Sequence, residues 1–138
     1  MIRARNLVMG RKKLREVFSK NILTEADQLE ISAIDKRFLL QCDAAIHENL
    51  QNESFDVEEL SVAMNMSRSN LFRKLKALTS FSPSQYIRTV RLKRAVTLLR
   101  ENNHNITEIA HLTGFNSTAY FTRSFKEAFG CTPTEYKG

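Results

Sequence analysis

Glycine and proline are scarce in this chain: four of the one and two of the other among 138 residues, with two cysteines and no tryptophan. So few turn-formers, and the absence of any long alternating apolar run, argue against a β protein and favour an all-helical one. Cys42 and Cys131 stand apart, outside any CxxC pair and with no histidine at metal-ligand spacing, so no metal site is expected. Isolated cysteines of this kind fit a reducing, cytoplasmic setting. No stretch approaches the ~20 apolar residues that cross a bilayer. The first residues are basic, but no apolar segment follows them, so a signal peptide is not expected. No nucleophile–base pair or Gly-rich phosphate loop is present, and His47, His104 and His111 have no mutual spacing suited to metal or catalysis. An enzyme is therefore not expected, nor a cofactor.

Acid is missing from one region in particular. Between Met66 and Arg100 there are nine Lys or Arg and no Asp or Glu. The net charge of +6 divides into +3 over residues 1–34, −5 over 35–65 and +8 over 66–138. So local an imbalance marks an anion-facing surface, with a plain solvated face as the alternative. A hydrophobic content of 42%, with nine Phe, supports a modest core. The length fits one domain, or two very small ones sharing an element.

What is present is a repeat. Ser67, Leu71, Arg73, Leu75 and Lys76 stand fifty residues before Ser117, Phe121, Arg123, Phe125 and Lys126. The register continues from Ser82-Pro83-Ser84-Gln85-Tyr86 to Thr132-Pro133-Thr134-Glu135-Tyr136. Upstream, Val57-Glu58-Glu59-Leu60 matches Ile106-Thr107-Glu108-Ile109 at an offset of forty-nine, so one residue enters the second copy near Asn116. Two copies of a helical unit, each carrying an Arg and a Lys, suit a partner that itself repeats, and duplex DNA is the obvious one.

The pattern of apolar residues places the elements. Residues 2–19 read as an amphipathic helix, with Leu7, Leu14, Val17 and Phe18 on one face and Arg11, Lys12, Lys13 and Arg15 on the other. Residues 20–34 read as a linker. Asp35 can cap a helix to about Leu50, with Phe38, Leu39, Cys42, Ile46 and Leu50 as its apolar stripe. In the first copy Asp56 caps a helix over Val57–Met64, Asn65 turns the chain, and Ser67 caps a helix ending near Thr79. Arg73 lies two residues from both Leu71 and Leu75, and so points roughly away from the core. Ser82-Pro83 opens a long helix to about Glu101, since Pro fits the first helical position. The second copy places helices at Ile106–Thr113 and about Ser117–Phe129, with Gly114 at the turn and Gly130 as the stop. Phe115, Phe121, Phe125 and Phe129 read as a core stripe.

A short helix, a turn on Asn or Gly, and a second helix with a Ser cap and an outward Arg make a helix-turn-helix pattern. Ser61 and Ala110 supply the small residue where the second helix crosses the first. One such match is a moderate signal; two in register, in a basic chain, are a strong one.

The chain resembles the DNA-binding module of AraC/XylS-type bacterial regulators. The resemblance is carried by Ile106-x-x-Ile109-Ala110-x-x-x-Gly114-Phe115, then Tyr120-Phe121-x-Arg123-x-Phe125-Lys126-x-x-Phe129-Gly130-x-Thr132-Pro133-x-x-Tyr136. In the first copy it is carried by Met66-Ser67-Arg68-Ser69-x-Leu71-x-Arg73-Lys74-Leu75-Lys76 and Pro83-x-x-Tyr86-Ile87-Arg88-x-x-Arg91-Leu92. It covers about residues 35–137. It implies two helix-turn-helix units, at about 57–79 and 106–129 of a domain spanning 35–138, joined by a long central helix.

The resemblance also implies site residues. Arg68, Ser69, Phe72 and Arg73 would face bases from the first unit, and Thr118, Ala119, Thr122 and Arg123 from the second. Phe72 departs from the more polar residue usual there and could meet thymine methyls or pack on the protein. Lys74, Lys76, Arg88, Arg94 and Lys126, with helix N-termini at Ser67 and Ile106, would meet phosphates. Arg91 and Lys93 stand open between that basic surface and structural ion pairs on the central helix. The expected activity is sequence-specific transcription regulation on double-stranded DNA, with a helical protein-interaction adaptor as the alternative. Residues 2–18 resemble the end of a response-regulator receiver domain and its exit linker, as in hybrid two-component sensors that end in this module. On that reading the N-terminal helix docks on a receiver domain or pairs into a homodimer, the chain is the cytoplasmic output part of a membrane sensor, and RNA polymerase is a further candidate partner.

Overall fold

The computed structural model of the chain describes residues 32–136, all of whose regular elements are helices. They are α1 (Ala33–Glu48), α2 (Val57–Ala63), α3 (Arg68–Thr79), α4 (Pro83–Glu101), α5 (Ile106–Leu112) and α6 (Thr118–Phe129). The N-terminal helix expected over 2–19, and most of the linker after it, lie outside the described residues. None of the described helices is long and apolar enough to cross a membrane.

Each helix begins for the same local reason. Ser32, Asp56, Ser67, Ser82, Asn105 and Ser117 stand in extended backbone just before the first turn, and each side-chain oxygen accepts the N–H three residues on. Such a cap satisfies a donor that the helix itself cannot, and is typically worth ~1 kcal/mol. Ser82 with Gln85, and Asn105 with Glu108, close the reciprocal version, in which the later side chain also takes the cap residue's N–H. One start differs from the expected one. Ser32 caps α1 in place of Asp35, whose backbone N–H it accepts at 3.1 Å. Asp35 becomes a first-turn residue, and its carboxylate is free to meet another element.

The ends of α3, α4 and α6 are set by left-handed residues. Asn102 (φ +57°) and Gly130 (φ +85°) stop α4 and α6. Ser80, the first-copy counterpart of Gly130, stops α3 at φ +71° although its Cβ opposes that conformation. Ser80→Gly should therefore stabilise the chain by about 1 kcal/mol, read as a higher urea midpoint at unchanged m-value. An unchanged or lower midpoint would refute this.

The duplication persists in the turns. In the first unit the Met66 N–H donates to Ser61 O at 2.9 Å, and in the second the Phe115 N–H donates to Ala110 O at 2.9 Å. Asn65 (φ +57°) and Gly114 (φ +84°) supply the positive φ that each turn needs. The extra residue, Asn116, falls after this shared turn and before the cap Ser117. Ser61 and Ala110 are both buried, as the close crossing of the two helices requires.

The described residues form two apolar clusters. The first joins Phe38, Leu39, Cys42 and Ile46 of α1 to Leu60, Leu71, Leu75 and Leu78 of the first unit and Tyr86, Ile87 and Val90 of α4. The second joins Leu92, Ala95, Val96 and Leu98 of α4 to Ile109, Ala110, Phe115, Phe121 and Phe125. The expected aromatic stripe is core: Phe121 packs on Phe115 and Phe125 with ring centroids 5.1 and 5.9 Å apart, and Phe129 and Tyr136 close its outer side. Cys42 is fully buried; burial, and then the nearby Asp43, push its thiol up to about 12. It is a packing residue. The two clusters divide α4 between Val90 and Leu92, and Arg91 stands at the seam.

Candidate nucleic-acid interface

Burying Leu71, Leu75 and Leu78 turns a fixed set of α3 residues outward. At ~100° per residue, Ser69, Arg73 and Lys76 lie opposite the buried edge, with Arg68 and Phe72 on one flank. All five are exposed, Phe72 at 48%. Burying Phe121, Ser124 and Phe125 does the same for α6: Ala119, Arg123 and Lys126 face outward, and Thr118 and Thr122 lie half-buried on the corresponding flank. The structure thus brings together on each second helix the four residues expected to face bases. Arg68, Ser69, Phe72 and Arg73 also line an open depression with Val57, Ser82, Pro83 and Ser84. Phe72 is not drawn into the core.

Both outward arginines lean on the residue one turn back, by different chemistry. Arg73 Nη2 donates to Asn70 Oδ1. The Arg123 guanidinium lies 5.7 Å from the ring centre of Tyr120, which is Asn70's counterpart. The contact between the two helices of each unit differs in the same way. Arg68 pairs with Glu58 at 4.0 Å, both exposed, whereas at the matching place Thr118 Oγ1 donates to Thr107 Oγ1 at 3.5 Å.

The residues expected at phosphates divide. Lys76 and Lys126 are exposed on the outward faces, and Arg88 is half-buried beside a groove between the two units, lined also by Glu53, Asp56, Arg91, Gly114 and Tyr120. Ser67 and Ile106 stand at helix starts, the second with the Glu108 carboxylate drawn to the Asn105 N–H. Lys74 instead turns toward α1. Its ammonium is 3.4 Å from the Asp35 carboxylate and 5.1 Å from the centre of the Phe38 ring. Arg94 lies close enough to His47 of α1 to oppose its protonation. The His47 imidazole, 3.3 Å from the Asp43 carboxylate, still has its pKa raised, chiefly by that hydrogen bond.

Arg91 is not an ion-pair partner on the central helix. It is buried, and carbonyls hold it. Nη1 donates to Leu50 O and, at 2.9 Å, to Thr113 O; Nη2 donates to Asn52 O at 3.0 Å and Phe55 O at 3.5 Å. Burial lowers its pKa, yet an arginine keeps its charge in such a setting. Burial also lowers the pKa of its neighbour Lys93, an effect that Asp43 opposes.

This geometry has known counterparts. A helix-turn-helix domain model matches residues 60–138. Histidine kinase P4 of Formosa agariphila is 37% identical over 136 residues, which is 99% of this chain and 10% of that protein, so the chain spans a small part of this relative. The DNA-binding domain of AdpA, solved in complex with a target DNA, superposes with a TM-score of 0.64 and 32% identity over 71% of this chain and 87% of that one. A transcriptional regulator from Chromobacterium violaceum, described as an AraC-type DNA-binding domain-containing protein, superposes with a TM-score of 0.67 and 27% identity over 75% of this chain and 92% of that one. Two in-register units on a shared helix, a domain match over more than half the chain, and these structural likenesses agree: the chain belongs to the AraC-type helix-turn-helix family.

Proposed function

We propose that the chain is a sequence-specific transcription regulator that inserts α3 and α6 into successive major-groove segments of duplex DNA, without catalysis. The observation that carries this is the equivalence of the two outward faces, Ser69–Arg73–Lys76 and Ala119–Arg123–Lys126, at one register. Arg68, Arg73 and Arg123 would pair with guanine O6 and N7, and the methyls of Thr118, Ala119 and Thr122 would meet thymine methyls. The exposed ring of Phe72 would do the same from the first unit. Lys76, Lys126 and Arg88, with the N–H groups at Ser67 and Ile106, would meet phosphates. Arg94 belongs with this set, whereas Lys74 is left out because Asp35 and Phe38 of α1 engage it.

The chain would serve as the output part of a longer two-component protein. Its similarity to the Formosa kinase extends through the N-terminal residues, which fits a receiver domain placed before it. Docking on that domain, pairing of two copies through residues 2–18, and contact with RNA polymerase belong to the same proposal.

Binding titrations on duplexes selected from a random pool test it. The log–log salt slope should be roughly −4 to −8, given the number of basic contacts. Arg123→Ala should lose about 1–3 kcal/mol on the selected duplex and relax one position of the second subsite, while Lys76→Ala weakens all duplexes alike and flattens the salt slope. A flat salt response would count against DNA as the partner. Equal weakening of selected and random duplex by both variants would remove Arg123 from the base edge.

A further inference from the structure

The two units hold their relative position with little direct packing. Among the described residues their apolar clusters share no side chain, and apart from α4 the helices of one unit make only slight contact with those of the other. α4 alone would leave each unit able to rock about its own side of the rod. Arg91 stands where the clusters part, and its guanidinium reaches both units at once. Leu50, Asn52 and Phe55, whose carbonyls accept from it, lie in the segment joining α1 to the first unit. Thr113, the fourth acceptor, ends α5 of the second unit. A planar fork of fixed donors suits this convergence better than an ammonium, which offers a point charge on a flexible stem. The acceptors are main-chain atoms, so the positions of the two backbones are themselves fixed.

Gly114 shows how close those backbones come. A Cβ built there would lie 2.3 Å from Leu50 O, across the seam between the units.

We propose that Arg91 is an inter-unit lock: it fixes the separation and rotation of α3 and α6, and so sets which spacing between two duplex subsites the chain accepts, without touching DNA. Arg91 is thus a positioning residue for the paired reading proposed above, on which its effect on spacing rests.

The lock is tested first without DNA. In the full chain carrying Cys131→Ser, spin labels on Ala77→Cys and Glu127→Cys occupy equivalent exposed places on α3 and α6, and Cys42 is buried. Pulsed electron–electron resonance should give one narrow distance distribution with Arg91 in place. In Arg91→Met it should be at least about twofold broader, because a single arrangement gives way to several. Arg91→Lys should lie between, and circular dichroism should show helix content kept. A distribution in Arg91→Lys and Arg91→Met as narrow as the parent's would overturn the lock, and Arg91→Lys serves alone should Arg91→Met not fold. The second readout uses duplexes selected by the parent chain and spacer variants of them. Arg91→Met should lose about tenfold of the parent's discrimination between spacings, as the second contact ceases to be pre-positioned, while single-subsite duplexes change less than about threefold. Unchanged spacer discrimination would also overturn it. Broadening in Arg91→Met with no selective duplex binding by the parent would keep the lock and remove the DNA reading.

Discussion

Gly114→Ala should cost about 3–5 kcal/mol in urea unfolding, whereas Gly130→Ala should cost about 1. Both glycines have nearly the same backbone, φ +84° and +85°, so the strain of a Cβ in the left-handed region is common to the two. Their surroundings are opposite. A Cβ at 130 meets nothing within 4 Å; one at 114 would lie 1.5 Å from Arg91 Nη1 and 2.3 Å from Leu50 O. The guanidinium could swing aside, but only by leaving carbonyls unpaired in a buried place, at about 1–3 kcal/mol for each one stranded. The Leu50 carbonyl is main chain and moves only if the segment before the first unit moves with it. The difference between the two variants therefore measures the cost of prising the seam apart, free of the conformational strain. Losses that are small and equal at the two positions would mean that the turn and the segment around Leu50 separate easily.

How much of this could be read in the amino acids differs by element. The helices were legible because their starts are written in side chains: Asp56, Ser67 and Ser82 before apolar periods, with Pro83 behind the last. The turn residues Asn65 and Gly114 followed from the tolerance of Asn and Gly for positive φ, and the inserted Asn116 from the offset of the repeat. The faces of α3 and α6 were legible too, since burying every third or fourth residue dictates which others turn out.

What escaped depends on atoms without a sequence signature. The partners of Arg91 are carbonyls, which every residue has, and three of them lie 36 to 41 positions away. The one available signal was a charge flanked by Val90 and Leu92 on a helix whose core residues surround it. The partners of Lys74 on α1 were hidden for a related reason. Asp35 is the cap that the sequence suggests for α1, and once Ser32 takes that role the carboxylate can reach across to α3. A competition between two possible caps three residues apart thus decides where a lysine on another helix points. The left-handed Ser80 was likewise hidden, though its alignment with Gly130 would have marked it.

The largest effect on binding should come from the DNA and not from the protein. α4 has 19 residues, so at 1.5 Å per residue it spans about 28 Å. With the offset of each recognition helix this approaches one turn of B-DNA, about 34–36 Å, and the two subsites should lie about ten base pairs apart on one face. Inserting five base pairs between them carries one subsite about half a turn round the duplex, to the far side from its reader. A protein hinged at α4 could follow part of that rotation; one locked through Arg91, with Gly114 against Leu50 O, cannot. Affinity should then fall to that of a single unit, a loss of several kcal/mol if each subsite supplies base contacts of about 1–3 kcal/mol apiece. Ten inserted base pairs restore the face but double the distance, and a helix cannot lengthen to cover it, so binding should stay at the single-unit level. Footprints on the spacer series would show one protected subsite in both inserted duplexes and two in the parent. Full protection and affinity on the five-base-pair insertion would mean that one helix-turn-helix unit alone reads sequence, and that the second serves only to hold the backbone.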